Sequence, residues 1–437
     1  MRWILTFRVR QYWQSSFWVI PVGCAALGVV LALAMLKLDQ SGTRPDSLTY
    51  SEGTAVTLLA AIFAGTISFI GFVFTMLLLL PQFGGSQLSA RVLHVAYRDP
   101  RLKLSIGVFV GTMMYTFLVM ARVRNGFVPG LSLLVAGLLI FASVIFFLAF
   151  LSAFVHTLRP ATAATRVAGI GRRVVMQVYP HRHDEPAGDG GSPIALPTGA
   201  PVQRLLNTGE GGVILAVAAR GLVAIAERED CLFVLPHAVG DYVATGTVIL
   251  EVYGGRRHLR ERAMRRVIAL GPERTFEQDP AFALRILVDI AVKALSPAIN
   301  DPTTAVHVVD RIEDLLVLLA GRRLSGGAFC GASGRPRLVA PMPDWEDYLT
   351  LAMTEIRQYG ATSVQVVRRL RALLADLAVA VPAELRTSVE VELRTLDETV
   401  ALGFPVERDR VFAAIGDAQG IGMGSDVRPR SPTALTT

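Results

Sequence analysis

The chain has 437 residues, enough for two or three domains. Apolar residues make up 52% and charged residues 18%, mean hydropathy is +0.47 and net charge is +7. This excludes a disordered chain, and three widely spaced cysteines (Cys24, Cys231, Cys330) exclude a disulfide framework or a CxxC metal site.

Stretches free of Asp, Glu, Lys and Arg cover residues 11–36, 53–90, 104–121 and 125–158. A helix needs ~20 apolar residues to cross ~30 Å of hydrocarbon. These stretches therefore predict spans at about 17–37, 56–80, 104–122 and 131–157. The first run has the basic start of a signal peptide. It is long, however, and three more spans follow, so it reads as a retained span.

Arg2, Arg8, Arg10, Arg91, Arg98, Arg101, Lys103, Arg159, Arg166, Arg172 and Arg173 fall on one side of these spans. Lys37, Arg44, Arg122 and Arg124 fall on the other. The positive-inside rule then places both termini in the cytoplasm of a bacterial inner membrane. Trp3, Trp13 and Trp18 suit an interfacial aromatic belt. Apart from Lys37 and Arg122 at their very ends, the predicted spans hold no Asp, Glu, Lys or Arg, which disfavours an ion-coupled pump.

Small residues recur at helix-packing spacing: Gly107-x3-Gly111 in span 3, and Ala61-x3-Gly65 and Ala64-x3-Ser68 in span 2. Thr57, Gly65, Thr66, Ser68, Gly71 and Thr75 make span 2 the candidate pore-lining helix. The competing reading has its hydroxyls bonded back to their own helix.

Beyond the spans, residues 159–201 read as a juxtamembrane helix on the anionic inner leaflet followed by a Gly/Pro-rich linker. Residues 202–255 read as a small β-barrel-like module, with short apolar runs at Val213–Val217, Leu222–Ile225, Cys231–Leu235 and Val248–Val252. Residues 239–252 are similar to the hairpin of biotinyl or lipoyl carriers, but the segment has no lysine to modify, so a carrier role does not follow. Residues 256–415 read as a helical bundle and 416–437 as a disordered tail. Six arginines between Arg256 and Arg266 read as a solvated or lipid-facing helix, with little aromatic interleaving for nucleic acid. Arg357, Arg368, Arg369 and Arg371 read as solvated. The whole fold is then a four-helix membrane domain plus a cytoplasmic α+β domain.

Two helices are predicted over 280–320, and Arg285, Asp289 and Lys293 form an alternating-sign stripe on the first. In S-P-A-I-N-D-P-T-T-A (296–305), Pro297 breaks that helix, while Asp301 as N-cap and Pro302 at N1 start the next. Ser296, Asn300, Asp301, Thr303, Thr304, His307 and Asp310 gather near this helix start, where an anion could bind. They are the candidate ligand-binding residues.

Q-F-G-G-S-Q-L-S-A-R-V-L (82–93), G-x-x-x-G-T-M-M-Y (107–115), G-P-E-R-T-F-E-Q-D-P-A-F (271–282) and A-L-S-P-A-I-N-D-P-T-T-A (294–305) resemble one bacterial family of predicted membrane proteins, catalogued as a domain of unknown function. The resemblance spans about residues 5–405, with Leu88 and Ala90 where the family usually has Phe and Pro. It implies four spans and a cytoplasmic domain, and no catalytic residues.

Three functions are weighed. The first is a homo-oligomeric channel or permeation pathway with a cytoplasmic gating or assembly domain. The second is a membrane-anchored sensor or scaffold that binds a small anion or partner at the 296–310 motif. The third is an enzyme on lipid or envelope precursors, for which there is no nucleophile elbow, HExxH, P-loop or acidic cluster. No metal or cofactor is expected. The expected partners are the bilayer, anionic inner-leaflet lipids and further copies of the chain, without nucleic acid. All the basic excess lies in the first 158 residues, and the remainder has equal numbers of acidic and basic residues.

Overall fold

The computed structural model describes residues 16–41, 50–87, 100–123, 127–157, 159–185, 199–255, 258–324 and 327–423. Arg2, Arg8, Arg10, Trp3, Trp13, Arg44, Arg91, Arg98, Arg124, Arg256, Arg257, residues 88–93, most of the linker and the last fourteen residues lie outside them. The chain divides into a unit of residues 8–163 and a unit built mainly from residues 164–437.

The first unit holds four helices long and apolar enough to cross a membrane: α1 (Val19–Gln40), α2 (Glu52–Gln87), α3 (Pro100–Met120) and α4 (Gly130–Thr157). Helix α3 is the inner one, 61% buried over its most apolar window against 17–22% for the others. The Gly107-x3-Gly111 pair lets it approach α1 on Cys24 and Gly28. A Cβ at Gly28 would strike the Gly111 carbonyl, and one at Gly107 would lie 2.7 Å from Cys24 Sγ. Without a hydrophobic drive in lipid, such backbone proximity is how spans hold together.

Helix α1 runs past its expected end and takes in Asp39, which is 2% exposed. Its carboxylate accepts from Leu131 N and Ser132 N, both at 3.0 Å, and from Ser132 Oγ at 2.6 Å. It therefore caps α4 from a different helix and satisfies amides that would otherwise be orphaned. Tyr115 OH donates to Ser132 O, and Thr112 and Ser143 hydroxyls meet at 3.0 Å. These polar groups inside the spanning unit are tie-points between helices.

The second unit begins on α5 (Pro160–Val178). Its apolar face (Val167, Gly171, Val174, Val175) is buried in protein, with Gly171 against Ala283 and Leu315. Arg166, Arg172 and Arg173 remain exposed.

The expected barrel is two open sheets, and no closed barrel forms among the described residues. Strands β1 (Gln203–Leu206), β2 (Gly212–Val217), β3 (Cys231–Val234), β4 (Tyr242–Val243), β5 (Val248–Gly254), β6 (Ile268–Gly271), β7 (Ala328–Cys330) and β8 (Pro336–Val339) order as β1-β5-β3-β8-β7 and β4-β2-β6. Among the described strand pairs, only β3 with β8 is parallel. Strands β6, β7 and β8 come from the stretch expected to be helical. The carrier-like hairpin does not form, because β4 and β5 join different sheets. Gly246, at φ +84°, turns the chain between them. Asn207 holds that turn by donating to the Val243 and Ala244 carbonyls.

Leu222–Ile225, expected as strand, lies in helix α6 (Ala219–Glu229). Its buried residues, Leu222 and Ala226, are spaced i, i+4 and pack on the sheet core of Leu205, Phe233, Leu250 and Leu338. The arginine-rich stretch gives only the short helix α7 (Glu261–Arg265).

Helices α8 (Pro280–Ala294), α9 (Pro302–Ala320), α10 (Trp345–Tyr359), α11 (Val364–Ala380), α12 (Arg386–Gly403) and α13 (Glu407–Ala413) complete the unit. The charged stripe on α8 faces a neighbour: Arg285 pairs with Asp289 and with Glu355 of α10. Of the four arginines expected in solvent, Arg368 and Arg369 are buried and Arg357 and Arg371 are half-buried. Arg368 is 0% and Arg369 6% exposed, because α11 is surrounded by α9, α12, α13 and the segment after α13. That segment corrects the expected disorder over 416–423. Asp417 is buried and its carboxylate accepts from the amides of Gln419, Gly420 and Gly422, which fixes the loop.

Candidate functional site

The 296–310 motif is an αα connection whose polar groups are largely spent on its own geometry. Helix α8 ends at Ala294, and the Ser296 carbonyl accepts from Ile299 N and Asn300 N at 3.0 and 2.9 Å. Asn300 is left-handed at φ +48°, a conformation asparagine tolerates better than most residues. Asp301 N then reaches back to the Ala294 carbonyl at 2.8 Å. The Asp301 carboxylate accepts from Thr304 N at 3.0 Å and Thr304 Oγ1 at 2.5 Å. Ser296 Oγ donates to Lys293 O.

The seven candidates therefore separate. Ser296, Asn300, Asp301 and Thr304 build the turn and cap. Thr303 and His307 are exposed, with His307 Nδ1 3.9 Å from Asp310. Asp310 turns to α11, where Arg369 Nε donates to it at 2.7 Å and Arg369 also pairs with Glu313. Burial holds the Glu313 carboxyl above the usual carboxylate range, against the pull of Arg369. Asp301→Ala is expected to lower unfolding stability by about 1–2 kcal/mol through the lost cap, and Asp301→Asn by much less. Chemical unfolding of the full chain in detergent reads this. Equal losses for the two variants would assign Asp301 a role beyond capping.

The 271–282 motif carries a second cap of the same kind, which sequence reasoning missed although the repeat of Asp-Pro at 279–280 and 301–302 signals it. Asp279 Oδ1 accepts from Phe282 N, and Arg274 Nε donates to its other oxygen at 2.9 Å. Burial pushes the Asp279 carboxyl up, opposed by Arg274. Gly240, at φ +97°, leaves room for this pair, since a Cβ there would lie 2.5 Å from Asp279 Oδ2. Gln278 docks on β2, accepting from Val217 N at 2.8 Å and donating to Val217 O at 3.2 Å. Nearby in the same unit, Tyr179 and Tyr348 share a buried hydroxyl pair at 3.0 Å, and burial pushes both phenols up.

The pore-lining candidates lie in the spanning unit. Thr57, Ser68 and Thr75 donate to the carbonyls of Gly53, Ala64 and Gly71, and Thr66 to that of Phe63. At 100° per residue, Thr57, Ala61, Ala64, Ser68, Gly71 and Thr75 share one exposed face of α2. Thr66 is on the opposite face and buried. Gly65 borders the stripe and lines an open groove of about 350 Å³ with Ser68, Phe69, Phe72 and Phe147. Nothing lies within 4 Å of where a Cβ would stand on Gly65 or Gly71.

Among the described residues no group of three or more His, Cys, Asp or Glu is placed to hold a metal ion. No solved structure matches the chain. Uncharacterized proteins of Mycobacterium tuberculosis and Mycobacterium bovis are each 30% identical over 429 residues, covering 92% of this chain and 80% of their own. The model of the family described as "Predicted membrane protein (DUF2254)" matches residues 14–376. With four apolar helices and a family model that matches most of its length, the chain belongs to this family of predicted membrane proteins.

Proposed function

We propose that the protein is an inner-membrane homo-oligomer whose spanning units meet along the small face of α2, and that small solutes permeate along the seam so formed. The observation that carries this reading is the exposed stripe from Thr57 to Thr75, at alternating spacings of three and four. Small residues let spans approach closely, and a span without them gains little from another span over lipid. The other strong small-residue pair, Gly107 and Gly111, is already used within the chain on α1, so α2 is the face left for a second copy. Its hydroxyls are satisfied by their own helix, yet each oxygen keeps an acceptor lone pair toward the seam. That gives a mildly polar, uncharged lining. In this reading the charge asymmetry puts both termini in the cytoplasm, and Arg166, Arg172 and Arg173 on the open side of α5 meet anionic headgroups.

Gly71→Leu tests the seam. In full-length protein in nanodiscs, mass photometry should show the wild type as oligomers and the variant shifted to monomer, with small-solute flux into liposomes lost. A wild type that is monomeric, or a variant that assembles and conducts unchanged, contradicts the reading.

A further inference from the structure

Arg368 is a buried cation whose described contacts include no acid. Its Nε donates to Ile415 O at 2.9 Å, its Nη2 to Met423 O at 2.8 Å, and its guanidinium lies 4.0 Å above the Phe412 ring. Its Nη1 is buried with no hydrogen-bond partner. The other arginines of α11 differ: Arg369 pairs with Asp310 and Glu313, and Arg371 with Asp397. A buried charge met only by two carbonyls and an aromatic face is poorly compensated, and a carboxylate would satisfy the guanidinium fork better than two carbonyls do.

The cover over Arg368 is the segment after α13, and it is lightly attached. Asp417 spends its carboxylate on the loop's own amides. Gly420 and Gly422 take φ of +70° and +82°, so the loop's shape is set internally. It rests on the body through Gln365 Nε2 to Gly420 O, Asp417 N to Arg368 O, and the two Arg368 bonds. Ile421 and Met423 are largely in solvent, each 63% exposed, and add little apolar burial. A segment held by a few hydrogen bonds opens at low free energy. Beneath it lie Arg368 and, against Gly420, Val306 of α9.

We propose that residues 415–423 form a displaceable strap over the α9–α11 face, and that an acidic peptide segment displaces it by presenting a carboxylate to Arg368. The strap lies within the second unit, so the inference is independent of assembly through α2.

Hydrogen exchange of the full-length protein in detergent micelles tests it, with poly-L-glutamate as the probe and poly-L-lysine at equal ionic strength as the control. Poly-L-glutamate should speed exchange over 416–423 by roughly tenfold or more in the wild type while α10 stays protected. Arg368→Met should abolish the response. Arg368→Lys, which keeps the charge and loses the fork, should respond weakly and serves if the Met variant does not fold. No response to poly-L-glutamate in the wild type, an equal response in the folded Arg368→Met or Arg368→Lys variant, or an equal response to poly-L-lysine overturns the proposal.

Discussion

Gly28→Leu is expected to break the packing of α1 on α3 and to cost the spanning unit about 3 kcal/mol or more. The obstacle is backbone: a Cβ at Gly28 would strike the Gly111 carbonyl, and a Cβ at Gly111 would lie 2.8 Å from the Cys24 carbonyl. Neither helix can rotate a carbonyl away as it can a side chain, so the axes must separate and lose contact along the seam. Gly111→Leu should cost a similar amount. Gly107→Leu should cost less, since its first obstacle is the Cys24 thiol, which can change rotamer. Gly23→Leu and Gly137→Leu, with nothing within 4 Å, should be close to neutral. Thermal unfolding in detergent, followed by the reactivity of the half-buried Cys24, ranks the five variants. Equal midpoints for Gly28→Leu and Gly23→Leu would contradict the close crossing.

Arg369→Ala should be the most damaging single change in the second unit, at about 3–5 kcal/mol. It leaves Asp310 on the α9–α11 seam and half-buried Glu313 without their cation. Burial and the nearby Asp376 already penalise the charged form of Glu313, and without Arg369 that penalty is unopposed. The cost arises from the stranded carboxylates, so Arg369→Met combined with Glu313→Gln and Asp310→Asn should recover most of it. Arg311→Ala is the contrast: its 3.3 Å pair with Asp314 is largely in solvent, and its loss should cost about 0–1 kcal/mol. Chemical unfolding of the full chain reads each variant. An Arg369→Ala loss no larger than that of Arg311→Ala would mean the network carries no stability.

The four spans were legible because a charge-free run of that length has few other uses. The span ends were less so: Asp39 and Lys103 looked like loop charges, yet both lie within helices and bond to other parts of the spanning unit. Gly107-x3-Gly111 was readable as a packing motif. Its partner was hidden, since Cys24 and Gly28 match no pair of glycines. The sheets were misjudged because β4 is two residues long and β7 and β8 are separated from the other strands by two long helices. Sequence-local patterns cannot assign strands to sheets.

The arginines of α11 could have been suspected. Gln365, Arg368, Arg369, Arg371 and Asp376 are the helix's polar residues, too few for a solvated face on seventeen residues. In the 296–310 motif the caps were readable from Asp-Pro, and the structure adds that Asn300 is left-handed. What spacing could not show is the turning of Asp310 to Arg369, because that contact is made between helices 59 residues apart in sequence.

Single cysteines placed along α2 and oxidised in native membranes test the seam most directly. Ser68→Cys, Gly71→Cys and Thr75→Cys should cross-link to covalent dimers. Val56→Cys and Phe74→Cys, exposed on the flank of the same helix, should cross-link far less. Cross-linking that is absent, or no stronger at the stripe than at Val56 and Phe74, would contradict assembly through this face.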